Sequence, residues 1–184
     1  VLTAAQAAEK TGLSKTTAMK LLEHFVAEGI VLDAGKGDST AEGGKPPALF
    51  KLNDHYTCAI GVHLFPEKIA AIVVDLSGNL LDSKTVSIKE NESLDVVIDG
   101  MAQIISELLE KTKFLKQQVA GIGIALPGII DAQAGLCRLS PRFSSWGTDA
   151  DVLGPMRKVL GREIPLFIDN ECSFMNFAEK TQSV

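Results

Sequence analysis

After residue 55 the sequence alternates between strand-like and helix-like segments, a pattern that few kinds of fold can accommodate. Three apolar runs with strand character come first, over Thr57–Leu64, Ile69–Asp75 and Leu80–Ile88. An amphipathic helix is predicted from Ser93, and the apolar run Val119–Leu126 predicts a buried strand after it. Strands and helices in this order are typical of an α/β domain in which helices pack on a sheet. We therefore predict an α/β fold for this part of the chain.

The predicted helix from Ser93 has one strongly apolar face. Apolar residues stand at positions 97, 98, 101, 104, 105 and 108, the spacing of a helix that packs on a core. The segment "DADVLGPMRKVLG" predicts a second helix, and Leu166–Ile168 predicts a further strand. The run "VAGIGIALPGIID" ends its strand at Pro127-Gly128, and open α/β sheets bind ligands at the carboxyl ends of their strands. Gly128 is therefore a candidate binding residue.

The first 54 residues have a different pattern, which predicts a separate domain. A short helix over residues 3–11 is followed by a turn at Gly12 and a second helix. Ser14 is a good N-cap for the second helix because its hydroxyl can accept a free backbone N–H. The predicted core face of this helix consists of Ala18, Leu21, Leu22 and Phe25. Two helices joined in this way predict a helix-turn-helix, although the spacing also fits any packed helix pair.

A hairpin follows the two helices and predicts a winged helix-turn-helix over residues 1–54. Its strands are Ile30–Asp33 and Ala48–Leu52, joined by the glycine-rich tip Gly35–Gly44. The tip either contacts a partner such as the DNA minor groove or is a solvated surface loop. The candidate DNA-binding residues are Lys15, Thr16, Thr17, Lys20, Lys36 and Lys45.

The charge of this domain limits how it could bind DNA. Residues 1–55 contain six lysines, no arginine and seven acidic residues. Nucleic-acid-binding domains are usually basic, because neutralisation of phosphates supplies much of the affinity. We therefore expect modest affinity per subunit and a steep dependence on salt. A homodimer or homotetramer would add the contributions of several subunits.

Cysteine use and hydropathy exclude some classes of protein. Cys58, Cys137 and Cys172 lie far apart with no CxxC pair, which argues against a disulfide framework and a local zinc site. No apolar run approaches the roughly 20 residues of a membrane-spanning helix, and no secretory leader is recognisable. We expect no membrane partner and a cytoplasmic location. The chain starts at Val1 and stops after a helix at Val184, so we also expect functional residues outside it.

The chain contains, in this order, a predicted winged helix, "GGKPPALFKLN", a three-stranded meander, "VAGIGIALPGIIDAQAGLC", "LSPRFSSW" and "IPLFIDNECSFMNFAEK". This order of segments resembles that of the ROK family of sugar-responsive repressors and sugar kinases. The resemblance covers essentially the whole chain. It implies that residues 55–184 are the first lobe of an actin- and hexokinase-like (ribonuclease H-like) effector domain. It also implies operator DNA and a small sugar or sugar phosphate as partners, as in the branch of xylose-type repressors. The family's zinc ligands would lie after Val184, so no cofactor is expected in this chain.

Two departures from the kinases of this family predict that the chain is not an enzyme. Those kinases carry Asp-x-Gly-Gly-Thr in the first hairpin, where the glycines admit the phosphates of ATP. This chain has "GVHLFPEK" instead, with His63 in place of the acid. Phe65-Pro66 replace the glycines with a bulky side chain and a residue without an N–H, and both changes oppose phosphate binding. No catalytic residue and no metal ligand is predicted.

The second departure concerns Asn170-Glu171, which stands where the kinases have Asn-Asp. The extra methylene of glutamate moves the carboxylate away from the position that phosphoryl transfer needs. Glu171 could still accept a hydrogen bond from a sugar hydroxyl, so both residues are candidate sugar-binding residues. Alternatively, Asn170 caps the terminal helix and Glu171 lies in its first turn, and the two interpretations are compatible.

The segment "LSPRFSSWGT" supplies the remaining candidate, Arg142. Family members often have a sugar-contacting asparagine at this position. An arginine there implies a ligand with a carboxylate or phosphate, or else it is a surface residue. Trp146 either stacks on a sugar ring or closes the core beneath the loop.

The resemblance implies a sugar-responsive transcriptional regulator, acting as a repressor. A ROK-type sugar kinase and a dimerisation platform with a decayed sugar site are the alternatives.

Overall fold

The computed structural model describes residues 1–37, 46–114, 118–161 and 164–182. The chain divides into two compact units, Val1–Tyr56 and Thr57–Val184. Each unit has its own helices and sheets, and each is described by itself. Within the described ranges, no helix is both long enough and apolar enough to span a membrane.

The first unit contains two helices and one antiparallel sheet. Its elements are β1 (Leu2–Thr3), α1 (Ala4–Thr11), α2 (Lys15–Ala27), β2 (Val31–Lys36) and β3 (Ala48–Leu52). The strands lie in the order β1-β3-β2. The helix pair and the hairpin predicted from the sequence are therefore present in that order. Lys45 and most of the glycine-rich tip lie outside the described residues.

Local hydrogen bonds fix the ends of both helices. The hydroxyl of Thr3 accepts from the backbone N–H of Gln6 at 3.2 Å, and the side chain of Gln6 accepts from the N–H of Thr3 at 2.8 Å, which is a capping box. Helix α1 ends at Gly12, whose φ of 71° is left-handed and favours glycine. Ser14 caps α2 as predicted, because its Oγ accepts from the N–H of Thr17 at 3.1 Å.

The predicted core face of α2 is only partly correct. Ala18 is buried, but Leu21 and Phe25 are 40% and 38% exposed. Met19 and Val26 are more buried and line a hollow against β2 and β3. Apolar residues cover a wide arc of this helix, so periodicity alone does not determine which part of the arc faces the sheet. The sheet contacts the side that carries Met19.

The second unit is an α/β arrangement with two sheets. Its elements are β4 (Thr57–Phe65), β5 (Lys68–Asp75), β6 (Leu80–Ser87), α3 (Leu94–Phe114), β7 (Gln118–Leu126), β8 (Ile129–Asp131), β9 (Leu136–Leu139), a 3-10 helix (Pro141–Trp146), β10 (Thr148–Asp151), α4 (Leu153–Leu160), β11 (Leu166–Asn170) and α5 (Glu171–Gln182). The larger sheet has the order β11-β7-β4-β5-β6, and the smaller has the order β10-β9-β8. In the larger sheet β4, β7 and β11 are parallel, whereas β4, β5 and β6 form the predicted antiparallel meander.

Helix α3 packs its predicted apolar face on the larger sheet. All six predicted positions are buried: Val97, Ile98, Met101, Ile104, Ile105 and Leu108. They form one core with residues of the strands such as Ile60, Leu64 and Ile122. Because complete burial of one such side chain contributes about 1.5–3 kcal/mol, this face supplies much of the stability of the unit.

The segment predicted as a helix over residues 149–161 begins as a strand. Ala150 on β10 pairs with Cys137 on β9, and both are buried. Helix α4 begins only at Leu153, and the carboxylate of Asp151 accepts the backbone N–H of Gly154 at 2.9 Å. The smaller sheet was not predicted because each of its strands has only three or four residues, too few to show a period.

Candidate functional site

The parallel strands β4, β7 and β11 end at the same edge of the larger sheet. His63 on β4 pairs with Ala125 on β7, and Ala125 pairs with Asp169 on β11. Three of the predicted sugar-binding residues lie at these strand ends and are therefore brought together: Gly128, Asn170 and Glu171. We refer to His63, Gly128, Asn170 and Glu171 as the carboxyl-edge site.

Asn170 is fully engaged by the backbone around it. Its Nδ2 donates to the carbonyl oxygen of Gly128 at 2.7 Å, and its Oδ1 accepts from the N–H of Cys172 at 2.8 Å. The first bond ties the end of β11 to the turn after β7, and the second caps the start of α5. The capping interpretation of Asn170 matches this geometry, and sugar contact by Asn170 stays a prediction.

Gly128 lies where no side chain fits. Its φ is 127°, and a Cβ at this position would clash with the carbonyl oxygen of Leu139 and lie 2.9 Å from the Cα of Ser140. The glycine thus allows the segment after β9 to approach the end of β7 closely. This approach places the start of the 3-10 helix beside the carboxyl-edge site.

The carboxylate of Glu171 meets a residue that the sequence did not identify as its partner. His63 Nε2 lies 3.1 Å from Glu171 Oε2, and the two side chains are 33% and 36% exposed. The imidazole also packs on the ring of Phe65, with 3.9 Å between the ring centroids. The two residues are 108 positions apart, and only the order of the parallel strands could have indicated that they meet.

The turn between β4 and β5 is a tight hairpin connection. Phe65 pairs with Lys68, so that Pro66 and Glu67 form the turn, and Lys68 Nζ lies 4.8 Å from the centroid of the Phe65 ring. A phosphate-binding turn needs backbone N–H groups that an anion can approach closely. Pro66 has no N–H, so this turn is a poor cradle for phosphate.

Arg142 is exposed in the 3-10 helix, two residues after Ser140. Its side chain makes no hydrogen bond or ion pair with another residue in the described ranges. The neighbouring Phe143 is buried and stacks on Trp146 at 4.8 Å between centroids. Trp146 therefore closes the core beneath this segment, one of its two predicted roles, and Arg142 is free to meet a ligand.

The turn that precedes α3 fastens the same 3-10 helix. Asn91, whose φ is 52°, accepts the backbone N–H of Ser145 at 2.9 Å through its side-chain oxygen. The carbonyl of Glu92 accepts from Trp146 Nε1 at 3.0 Å and from the hydroxyl of Ser145 at 3.1 Å. These bonds fix the segment that carries Arg142. No sequence motif indicated them.

Arg138, in contrast, is fully paired. Its guanidinium donates to Asp131 at 2.6 Å and to Asp149 at 2.8 Å, which clamps the three strands of the smaller sheet. The N–H of Ala134 and, next, the Arg138 guanidinium hold the pKa of the Asp131 carboxyl below its ordinary value. Arg138 is thus structural, which distinguishes it from Arg142.

A broad apolar cavity adjoins the carboxyl-edge site. It has a volume of about 720 Å³, and its lining includes His63, Phe65, Ile72, Gly123 and Phe174. Side chains that could hold a metal ion do not cluster anywhere in the part of the chain that the structure describes. The imidazole of His63 lies at this edge of the cavity and contacts the carboxylate of Glu171.

The candidate DNA-binding residues of the first unit lie at the surface. Lys15, Thr16, Thr17 and Lys20 are all exposed in the first two turns of α2. Lys15 also lines a hollow of about 400 Å³ together with Lys36, where β2 ends and β3 begins. The structure therefore brings Lys15 close to the hairpin, whereas Thr16 and Lys20 are on the outer side of the helix.

Comparisons with known proteins agree with the fold. The sequence model of the ROK family matches residues 59–183. The xylose repressor of Bacillus subtilis is 27% identical over 179 residues, which is 96% of this chain and 44% of the repressor. The xylose repressor of Caldicellulosiruptor bescii is 27% identical over 170 residues, 91% of this chain and 41% of the repressor. The chain therefore spans less than half the length of these relatives.

Two solved structures share the fold. A ROK family transcriptional regulator homologous to the E. coli MLC protein superposes with a TM-score of 0.66 at 16% identity, over 92% of this chain and 41% of the regulator. A ROK family glucokinase from Streptomyces griseus, in complex with glucose and AMPPNP, has a TM-score of 0.50 at 21% identity, over 61% of this chain and 33% of the kinase. Since the family match covers well over half of the residues, the chain belongs to the ROK family.

Proposed function

We propose that this chain is the DNA-binding and effector-sensing part of a sugar-responsive transcriptional repressor. One observation carries the proposal: the likeness to the xylose repressors reaches well into the first unit, because it covers 91% to 96% of the chain. The likeness to the glucokinase covers 61%, less than the second unit alone. A DNA-binding domain that precedes a ROK lobe in the chain is the arrangement that a transcriptional regulator of this family needs.

The first unit would bind operator DNA in the cytoplasm through the start of α2 and the hairpin. Thr16 and Thr17 would face the major groove, while Lys15, Lys20 and Lys36 would contact phosphates beside it. The exposed lysines are few, so two subunits of a homodimer, or four of a tetramer, would have to bind together. We expect affinity to fall steeply as salt rises.

The second unit would bind the effector at the carboxyl-edge site. Glu171 offers a carboxylate to a sugar hydroxyl, and Gly128 and Asn170 hold the two strand ends at a fixed separation. The guanidinium of Arg142, which has no partner within the described part of the chain, favours an effector with an anionic group. An effector that binds more tightly to one of two arrangements of the subunits would change operator affinity by the ratio of the two effector affinities.

A ROK-type sugar kinase is the second candidate, and its support is the shared fold with the glucokinase. The turn at Phe65 and Pro66 opposes phosphate binding, and Glu171 is already engaged by His63. We therefore propose that the protein transfers no phosphoryl group. ATP-dependent phosphorylation of D-xylose or D-glucose, lost in Glu171→Gln, would contradict this.

The function can be tested with DNA selected by the protein itself. Duplexes are enriched from a random pool, and their binding is followed by fluorescence anisotropy with and without D-xylose, D-glucose or D-glucose 6-phosphate. We expect an inverted-repeat site and a sugar that weakens its binding. If no duplex is enriched over random DNA at physiological salt, the regulator proposal is wrong. If a duplex is enriched but no sugar alters its binding, the protein is better described as a dimerisation platform with a decayed sugar site.

A further inference from the structure

We propose that His63 is a positioning residue of the effector site, which holds the carboxylate of Glu171 in the orientation that a sugar hydroxyl meets. This inference rests on the proposed function. It adds a residue that neither the sequence prediction nor the family match assigns to the site. The observation that carries it is the 3.1 Å contact between His63 Nε2 and Glu171 Oε2 across the intervening strand β7.

His63 is held by its backbone on both sides and by a contact of its ring. Its backbone pairs with Ala125 on one side and with Ala70 on the other, so it lies within the sheet and not in a loop. Its ring packs on Phe65 at 3.9 Å between centroids, with 31° between the ring planes. The histidine side chain is therefore ordered before any ligand arrives.

Among the described residues, no group other than His63 forms a hydrogen bond or ion pair with the carboxylate of Glu171. Glu171 is the first residue of α5, 36% of its side chain is exposed, and two side-chain torsions separate its carboxylate group from Cβ. Without a partner, such a side chain samples several rotamers, and ordering it on binding costs free energy. The contact with His63 removes that cost before the ligand binds.

The chemistry of the contact assigns a role to each carboxylate oxygen. An ionised carboxylate only accepts hydrogen bonds, so the imidazole must donate its Nε2–H to Oε2. Oε1 is then left to accept from a ligand. A sugar hydroxyl is both donor and acceptor, and it can donate to this oxygen. Oε1 of Glu171 is thus arranged to accept from a neutral hydroxyl donor and would repel an anion. Any anionic group of the effector would have to bind to Arg142.

Two substitutions at position 63 separate positioning from folding. His63→Phe keeps an aromatic ring on Phe65 but removes the N–H donor. His63→Gln loses the ring stacking but keeps an N–H at a similar reach. If His63 positions Glu171, D-xylose affinity measured by calorimetry should fall about tenfold in His63→Phe. It should fall by no more than about threefold in His63→Gln.

The same measurement in the Glu171→Gln background shows whether His63 acts through Glu171. We expect His63→Phe to change affinity by less than about twofold there, because the carboxylate that it positions is gone. Thermal unfolding of each variant without sugar reports any loss of stability separately. A purely structural role would lower the unfolding temperature of His63→Phe and leave its D-xylose affinity unchanged.

The outcomes distinguish this inference from the proposed function. If the wild-type protein binds D-xylose and His63→Phe binds it equally well, the positioning role is wrong and the sensor function stands. Equal losses in His63→Phe with and without Glu171→Gln also overturn the role. If the wild-type protein binds none of D-xylose, D-glucose and D-glucose 6-phosphate, the proposed function and the inference both fail.

Discussion

The side-chain amide of Asn170 joins the ends of two parallel strands by donating to the carbonyl oxygen of Gly128 at 2.7 Å. The same amide accepts the N–H of Cys172 at 2.8 Å through its oxygen. Both ends of the side chain are therefore committed within the protein. Asn170 therefore fixes where Glu171 stands, because Glu171 begins the helix that Asn170 caps.

Replacing Asn170 with aspartate should destabilise the protein by about 1–3 kcal/mol. The cap on α5 would remain, but a carboxylate oxygen would face the carbonyl of Gly128 with no hydrogen between them. Urea unfolding of Asn170→Asp and wild type measures the difference. Asn176→Asp, at an exposed position of the same helix, is the matched control and should change stability by less than about 0.5 kcal/mol. Equal stability of Asn170→Asp and wild type would show that the bond to Gly128 contributes nothing.

Replacing Gly128 with alanine should lower the free energy of unfolding more than replacing a glycine whose positive φ is the only obstacle to a side chain. A Cβ at Gly128 would clash with the backbone of Leu139 and Ser140, and backbone atoms cannot move aside as side-chain ends do. Gly161 has a φ of 55°, and no atom of the described residues lies within 4 Å of where its Cβ would stand. Gly161→Ala should therefore cost only about 1 kcal/mol. Thermal unfolding compares the two variants. A smaller loss in Gly128→Ala than in Gly161→Ala would contradict the close approach.

The larger sheet could be predicted from the sequence because each of its strands carries its own signal. Runs such as Thr57–Leu64 and Val119–Leu126 are predominantly apolar, and the spacing in α3 is strictly helical. The core face of α2 could not be predicted fully, because apolar residues surround more than one side of that helix. Only the position of the hairpin shows that Leu21 and Phe25 are on an exposed side of the helix and not in its core face.

The carboxyl-edge site could be predicted in part for a similar reason. Gly128 and Asn170 lie at the ends of recognisable strands, and the end of a parallel strand is a local feature. The contact between His63 and Glu171 depends on the strand order β11-β7-β4, which no local pattern encodes. The bonds from Asn91 to the 3-10 helix are likewise non-local. Tertiary pairing, not propensity, decides these parts of the site.

Replacing Arg138 with glutamine should raise the pKa of Asp131 towards its ordinary value. The pKa should stay below that value, because the N–H of Ala134 still donates to the carboxylate. A lowered pKa in the folded state stabilises the protein above the unfolded pKa, about 3.9, and this contribution is lost as the pH falls through the folded value. Arg138→Gln should therefore destabilise the protein more at pH 7 than at pH 2.

Carboxyl NMR titration of Asp131 in wild type and Arg138→Gln measures the first effect, and urea unfolding at the two pH values measures the second. Arg157→Gln, an exposed arginine on α4, is the control and should leave the titration of Asp131 unchanged. An unaltered pKa of Asp131 in Arg138→Gln would mean that the ion pair does not hold this carboxylate in solution.

Replacing Lys20 with alanine should weaken operator binding and reduce its salt dependence. If Lys20 neutralises one phosphate, the slope of log affinity against log salt should fall by about 0.9 for each subunit bound. Thr16→Ala and Thr17→Ala should instead relax sequence preference, and Thr17→Ala also removes the 2.8 Å bond to the hydroxyl of Ser14. Lys51→Ala, at an exposed position of β3, is the control for a lysine outside this face. Unchanged operator binding in Lys20→Ala and in both threonine variants would show that the start of α2 does not contact the operator.

Replacing Arg142 with alanine should reveal whether the effector carries a negative charge. Arg142 is exposed in the 3-10 helix that follows Ser140, and its side chain has no partner in the described ranges. The bonds from Ser145 and Trp146 to the turn before α3 fix its segment. A hydrogen-bonded contact with an ionised ligand group contributes about 1.5–3 kcal/mol, so Arg142→Ala should lose that much affinity for a sugar phosphate.

A neutral sugar should lose far less, because a hydroxyl offers the guanidinium no charge to meet. Calorimetry with D-xylose, D-glucose and D-glucose 6-phosphate on wild type and Arg142→Ala separates the two classes of ligand. Arg157→Ala controls for the loss of one positive charge elsewhere on the unit. A loss for the phosphate alone identifies Arg142 as the residue that selects an anionic effector. Equal affinities of wild type and Arg142→Ala for every sugar that binds would make Arg142 a surface residue, and Glu171 would then be the residue that meets the ligand.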